Sequence, residues 1–141
     1  MFAPSREEVR RFFFDTWRKY REKTPLAGLE GVALEVLLLH PEYHALMENP
    51  EASAGREYTP ETGESNPFLH LSLHVAIEEQ LSIDQPPGIR AEFERIATKL
   101  GERHAALHAL LECLGETLWR SQRDSAPPDA AAYLECLKQA G

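Results

Sequence analysis

The six histidines are the most informative residues of the chain, because every one of them belongs to a pair spaced four residues apart. The pairs are His40 with His44, His70 with His74, and His104 with His108. Random placement of six residues would give about 0.2 such pairs. Residues four apart on a helix lie one turn above each other on the same face, so two imidazoles with this spacing can bind one cation. The pairing therefore indicates metal ligation.

A glutamate follows each pair four residues later, which gives three His-x3-His-x3-Glu stripes ending in Glu48, Glu78 and Glu112. The first histidine and the glutamate of one stripe lie about 11 Å apart along a helix, so one stripe cannot close on one ion. Two stripes can, if the helix holding residues 67–82 packs antiparallel to residues 102–122. Mixed imidazole and carboxylate shells then form twice, and such shells suit iron, zinc or manganese. The pattern predicts a mono- or dinuclear metal centre.

The predicted ligands belong to the two stripes on long helices and to the N-terminal pair. They are His70, His74, Glu78, His104, His108, Glu112, His40 and His44. The N-terminal pair is the weaker, because Pro41 separates its members at a helix start. A second interpretation stays open, since buried histidines often serve as hydrogen-bonding core residues. In that case the chain is a non-catalytic acidic helical adaptor that binds a protein partner.

Other chemistry-bearing patterns are missing from the sequence. We find no G-x-S-x-G, no glycine-rich phosphate loop, no H-E-x-x-H and no paired C-x-x-C. The Glu-x-x-His spacing of ferritin-like di-iron bundles does not occur either. Cys113 and Cys136 are too few for a disulfide framework, and both are predicted to be small buried residues. Whether the protein is an enzyme stays open.

Composition narrows the class of partner and the compartment. The 141 residues include 15 basic and 23 acidic side chains, and the net charge of −8 disfavours binding to nucleic acid or to anionic membranes. No apolar run reaches the length of a membrane span or of a signal-peptide core. We therefore expect a single domain, residues 1–141, in the reducing cytoplasm.

The elements that must position the histidines are predicted to be helices, because apolar residues recur every three or four positions and no alternating strand pattern persists. Ser5 with Glu8 forms a capping box at the first helix, and Asn66 before Pro67 marks a later start. Residues 49–66 lack an apolar period and are predicted to form a long loop. The fold class is an all-α bundle of about five to six helices. Their expected ranges are 5–23, 25–39, 41–48, 67–82, 89–122 and a short helix after 128, and Gly101 or Gly115 can kink or split the long one.

Segments along nearly the whole chain carry a family resemblance. They are residues 4–6, 11–13, His40-Pro41-Glu42-Tyr43-His44, 58–60, Asn66 to His74, 79–81, Gln85 to Arg90, and His104 to Leu114. Through them the chain resembles the bacterial family catalogued as domain of unknown function 1841. The resemblance implies membership without an activity, a substrate or a ligand. The steps 74–78 and 108–112 are also similar to the His-x3-Glu steps of hemerythrin-like iron bundles, although the order and spacing of the full pattern differ.

Overall fold

The computed structural model describes residues 6–53 and 66–141, and within these ranges it contains helices and no strands. The predicted all-α class is confirmed, with seven α-helices in the described ranges where five to six were expected. By its internal contacts the chain divides into two compact units, Met1–Val75 and Ala76–Gly141. The elements are α1 (Arg6–Arg21), α2 (Leu29–Leu38), a 3-10 turn (Pro41–Tyr43), α3 (His44–Glu48), a second 3-10 turn (Pro50–Ser53), α4 (Pro67–Ile83), α5 (Ile89–Leu100), α6 (Arg103–Asp124) and α7 (Ala130–Gln139).

The first unit packs around the aromatic face of α1. Its core consists of buried apolar residues from α1, α2, α3 and the first part of α4, and these are Phe13, Trp17, Ala33, Val36, Leu37, Met47, Phe68, Leu71 and Val75. The second helix begins at Leu29 and not at residue 25 as expected, because Gly28 has a φ of +58° that no right-handed helix accepts. Val36 and Leu37, near the end of α2, precede His40 by four and three residues.

The start of α4 is fixed by the cap that the sequence predicted. The Asn66 side-chain oxygen accepts hydrogen bonds from the backbone N–H groups of Phe68 at 3.0 Å and Leu69 at 3.2 Å. These two groups have no partner inside the helix, so the asparagine satisfies them. The cap sets the position at which the first turn of α4 presents His70.

The second unit holds α5, α6 and α7, with a core of apolar residues from all three helices. The long helix expected at residues 89–122 is divided, because α5 ends at Leu100 and the next residue, Gly101, has a left-handed φ of +78°. Gly115, by contrast, lies inside α6 and does not interrupt it. The division places His104 in the first turn of α6.

Three kinds of contact hold α7 against the rest of the second unit. A disulfide joins Cys113 in α6 to Cys136 in α7, which corrects the prediction of two separate buried thiols. The Tyr133 hydroxyl donates a hydrogen bond to the Gln80 side chain at 2.8 Å. The Arg95 guanidinium donates to backbone carbonyls at the end of α7, the shortest bond being 2.7 Å. The carbonyls that a helix end leaves unpaired are thereby satisfied.

Two predicted features fall partly outside the described residues. The capping box includes Ser5, which lies outside them, and so do residues 54–65 of the predicted loop 49–66. The beginning of that loop departs from the prediction, because Pro50–Ser53 forms a 3-10 turn. Over the described ranges, none of the helices combines the length and the apolar character needed to cross a bilayer.

Candidate metal centre

His40 is positioned by the end of α2 and by the proline that follows it. Pro41 disfavours helix at the preceding residue, so the chain leaves the helix and the His40 ring folds back over its last turn. There His40 Nδ1 donates a hydrogen bond to the Val36 carbonyl at 2.8 Å, and the residue is 1% exposed. In the neutral ring, a proton on Nδ1 leaves a lone pair on Nε2. A ring held in this way by a backbone carbonyl has the tautomer and orientation of a typical metal ligand.

Within the first unit, three histidine rings lie against one another. The ring centroids of His40 and His70 are 4.9 Å apart, those of His40 and His74 are 4.6 Å apart, and those of His70 and His74 are 4.8 Å apart. His70 and His74 are one turn apart on α4, so both rings lie on the same face, as the spacing predicted. His40 Nε2 and His70 Nε2 are 3.1 Å apart. If the His40 ring is neutral, its Nε2 is an acceptor and His70 Nε2 is the donor in this contact.

Within the second unit, His104 and His108 form a pair at the start of α6. Their ring centroids are 4.3 Å apart, and both side chains are half-buried. The spacing of four residues again places the two rings on one helix face. The short distance confirms that the i, i+4 pattern predicted this juxtaposition correctly.

Four histidines form a group that could hold a metal ion. His40, His74, His104 and His108 each offer one ring nitrogen, and these four nitrogens all lie within 4.8 Å of one another. His40 and His74 are buried. The group contains imidazole nitrogens and no carboxylate oxygen.

His44 is not a member of this group. Its Nε2 donates a hydrogen bond to the Leu37 carbonyl at 2.7 Å, and its ring lies 4.5 Å from that of Trp17 at an angle of 33°. This histidine therefore connects α3 to α2 and α1. The sequence could not separate His40 from His44, because the distinction depends on how Pro41 redirects the chain between them.

The three glutamates of the stripes are not members of the group either. Glu78 accepts two hydrogen bonds from Arg103, both at 3.1 Å. Glu112 is exposed. Glu48 accepts one hydrogen bond from the Trp17 indole at 3.0 Å and forms an ion pair with Arg21 at 3.2 Å. Glu78 and Glu112, the carboxylates predicted as ligands, therefore lie outside the four-histidine group.

Tyr43 is a neighbour of the histidines that spacing alone did not place. Its ring is stacked on His40, with centroids 5.7 Å apart and an angle of 11°, and lies 6.2 Å from the ring of His70. Burial raises the pKa of its hydroxyl, and the nearby charge of Glu42 raises it further. The phenol therefore stays neutral near pH 7 and contributes an aromatic wall beside the cluster.

Comparison with known proteins assigns a family and no activity. The model of the family described as "Domain of unknown function (DUF1841)" matches residues 5–139. No curated protein and no solved structure gives a significant match to the chain. The resemblance to domain of unknown function 1841 is thereby confirmed.

Proposed function

We propose that this chain, which belongs to the DUF1841 family of unknown function, binds one first-row transition-metal ion through histidine nitrogens. The proposed ligands are His40, His74, His104 and His108. The observation that supports this proposal is the spacing of their four nitrogens, all within 4.8 Å of one another.

The spacing is compatible with one ion after an adjustment of side chains. Four nitrogens that bind zinc tetrahedrally at about 2.1 Å are about 3.4 Å apart. Spacings of up to 4.8 Å must therefore shorten by up to about 1.4 Å, which changes in the torsions of the opposing side chains supply. His40 needs no change of tautomer, since a neutral ring whose Nδ1 donates to the Val36 carbonyl has its lone pair on Nε2.

The chemistry of the ligands favours some metals over others. Imidazole suits zinc, copper, iron and nickel, whereas manganese prefers oxygen ligands. Of the three metals expected from the sequence, zinc and iron are therefore favoured over manganese. Glu78 and Glu112 are not required as ligands in this proposal. His70 acts as a neighbour whose hydrogen bond to His40 Nε2 gives way when the ion takes that lone pair.

Elemental analysis of the purified protein, with a matched set of histidine variants, tests the proposal. We expect about one metal ion per chain, lost in His74→Ala and in His104→Ala. His44→Ala is the matched control, because it removes a histidine of the same type that lies outside the group. Metal content should persist in that variant. Equal loss in His44→Ala and His74→Ala, or a wild-type protein that takes up no zinc or iron on titration, would contradict the proposal.

A second candidate function is the acidic helical adaptor with structural histidines. His44 favours it, since this residue uses its ring for a backbone hydrogen bond and for packing on Trp17. Melting curves with and without a chelator distinguish the two functions. An ion bound to the native state raises the melting temperature, so a chelator lowers it in the metal protein and leaves it unchanged in the adaptor.

A further inference from the structure

The disulfide between Cys113 and Cys136 lies within the second unit, and neither cysteine is a ligand of the proposed metal centre. The two side chains differ in accessibility, because Cys113 is only 4% exposed on α6, whereas Cys136 is half-buried near the end of α7. Thiol–disulfide exchange requires that a thiolate reach one of the two sulfurs, so access decides which sulfur is attacked. An external thiolate therefore meets Cys136 and is excluded from Cys113.

Helix α7 has other contacts that hold it in place when the disulfide opens. Leu137 is fully buried and Tyr133 is 3% exposed, so both side chains anchor the helix in the core of the second unit. The Tyr133 hydroxyl donates a hydrogen bond to Gln80, and the Arg95 guanidinium donates one to the Leu137 carbonyl. None of these contacts involves a cysteine sulfur. The disulfide can therefore be reduced in the folded protein without release of α7.

The two cysteines stay close to each other after reduction. Their Cα atoms are 5.8 Å apart, which lies in the usual range for disulfide-bonded pairs, and each belongs to a helix that fixes its backbone. The reduced thiols therefore need only side-chain rotation to meet again. Because this closure is intramolecular, the effective concentration of one thiol at the other is high, and closure is favoured over pairing with a second chain.

We infer that Cys113 and Cys136 form a reversible thiol–disulfide exchange site for small thiols, an activity separate from metal binding. The thiolate of an external thiol attacks Cys136 Sγ, so a mixed disulfide forms there and the bond to Cys113 breaks. The bonding electron pair goes to Cys113 Sγ, which takes up a proton.

A second external thiolate completes the reduction. It attacks the outer sulfur of the mixed disulfide, and Cys136 leaves as a thiolate that is then protonated. Two external thiols are thereby oxidised to their disulfide, and the protein disulfide is reduced to two thiols. Cys113 is the resolving thiol, because its attack on the mixed disulfide reverses the first step and releases the external thiol.

A trapping experiment on the wild-type protein identifies the attacked sulfur. The folded, oxidised protein is treated with 2-mercaptoethanol and a chelator, and the reaction is stopped at successive times with N-ethylmaleimide in acidic urea, which blocks every freed thiol. Trypsin separates the two cysteines, because Arg120 and Arg123 lie between them. We expect the mixed disulfide on the Cys136 peptide in roughly tenfold or greater excess over the Cys113 peptide. The fully reduced protein should keep its helical circular dichroism at 25 °C. Equal labelling, excess on the Cys113 peptide, loss of helix, or reduction only in urea would overturn the inference.

Single-cysteine variants test the same assignment without the intramolecular reaction. The chain has two cysteines, so Cys113→Ala leaves only the thiol of Cys136, and Cys136→Ala leaves only that of Cys113. The two variants are matched, because each lacks the disulfide. With bis(2-hydroxyethyl) disulfide, which is uncharged, we expect Cys136 to form the mixed disulfide roughly tenfold or more faster than Cys113. The two rates should converge in urea, because unfolding removes the difference in burial. Equal rates in the folded variants, or a difference that persists in urea, would contradict the assignment.

Discussion

Reduction of the disulfide between Cys113 and Cys136 should destabilise the protein by an amount that follows from the length of the loop it closes. The two cysteines are 23 residues apart in sequence. Closing a loop of this length in the unfolded chain lowers its entropy by an amount equivalent to about 3.4 kcal/mol of folding free energy at 25 °C. For a chain of this size, that loss corresponds to a fall in melting temperature of roughly 10 °C. If the second unit melts by itself, its smaller unfolding entropy makes the fall about twice as large.

Thermal unfolding followed by circular dichroism, with and without a reductant and always with a chelator, measures the effect. The double variant Cys113→Ala with Cys136→Ala is the control. It should melt near the temperature of the reduced wild-type protein and should not respond to the reductant. The reasoning is refuted if the reductant leaves wild-type melting unchanged, or if the unfolded, unreduced protein titrates with two free thiols.

Three smaller perturbations test other parts of the fold. Asn66→Ala should lower the free energy of unfolding by about 1 kcal/mol in a urea titration, because it removes the cap of α4. Asn66→Asp keeps a capping oxygen and should retain most of that stability. Equal losses in the two variants would argue against the cap. Hydrogen bonds from backbone N–H groups, chiefly that of Arg90, lower the pKa of Asp84, so its contribution is present above the usual aspartate pKa and is lost as the pH falls through the lowered value. Asp84→Ala should therefore lower the melting temperature at neutral pH by more than at acidic pH, with Asp84→Asn as the uncharged control, and a pH-independent difference would contradict this role. Burial raises the pKa of Tyr133 far above its usual range, so the contribution of the neutral phenol to stability is complete below about pH 10 and is lost at higher pH. Tyr133→Phe should lower the free energy of unfolding by about 1 kcal/mol at pH 7, because it removes the hydrogen bond to Gln80. An unchanged free energy of unfolding would show that this bond adds no stability.

The sequence predicted the features that depend on local spacing. Pairs four residues apart placed His70 beside His74 and His104 beside His108, because helical periodicity alone brings such side chains together. The cap at Asn66 was predictable for the same reason, since a cap involves only the residues of the first turn. The histidine pairs and the cap can therefore be predicted without any knowledge of the tertiary structure.

Features that depend on contacts distant in sequence were harder to predict. Pairing of Cys113 with Cys136 requires that α6 and α7 lie side by side, which spacing does not reveal. The sequence did not show that Glu78 pairs with Arg103, because the two residues are 25 positions apart. Gly101 was recognised as a point where the long helix can divide, but its left-handed conformation became evident only in the structure.

The hydrogen bond from His40 to the Val36 carbonyl has a further electrostatic consequence. An amide carbonyl orients the imidazole without adding the negative charge that a carboxylate in the same position would bring. Four neutral imidazoles would then leave the full charge of a bound cation uncompensated beside two buried side chains, where excess charge is costly. Such a centre favours the lower oxidation state of a metal that has two, and if the metal is iron we expect the ferrous protein to resist oxidation.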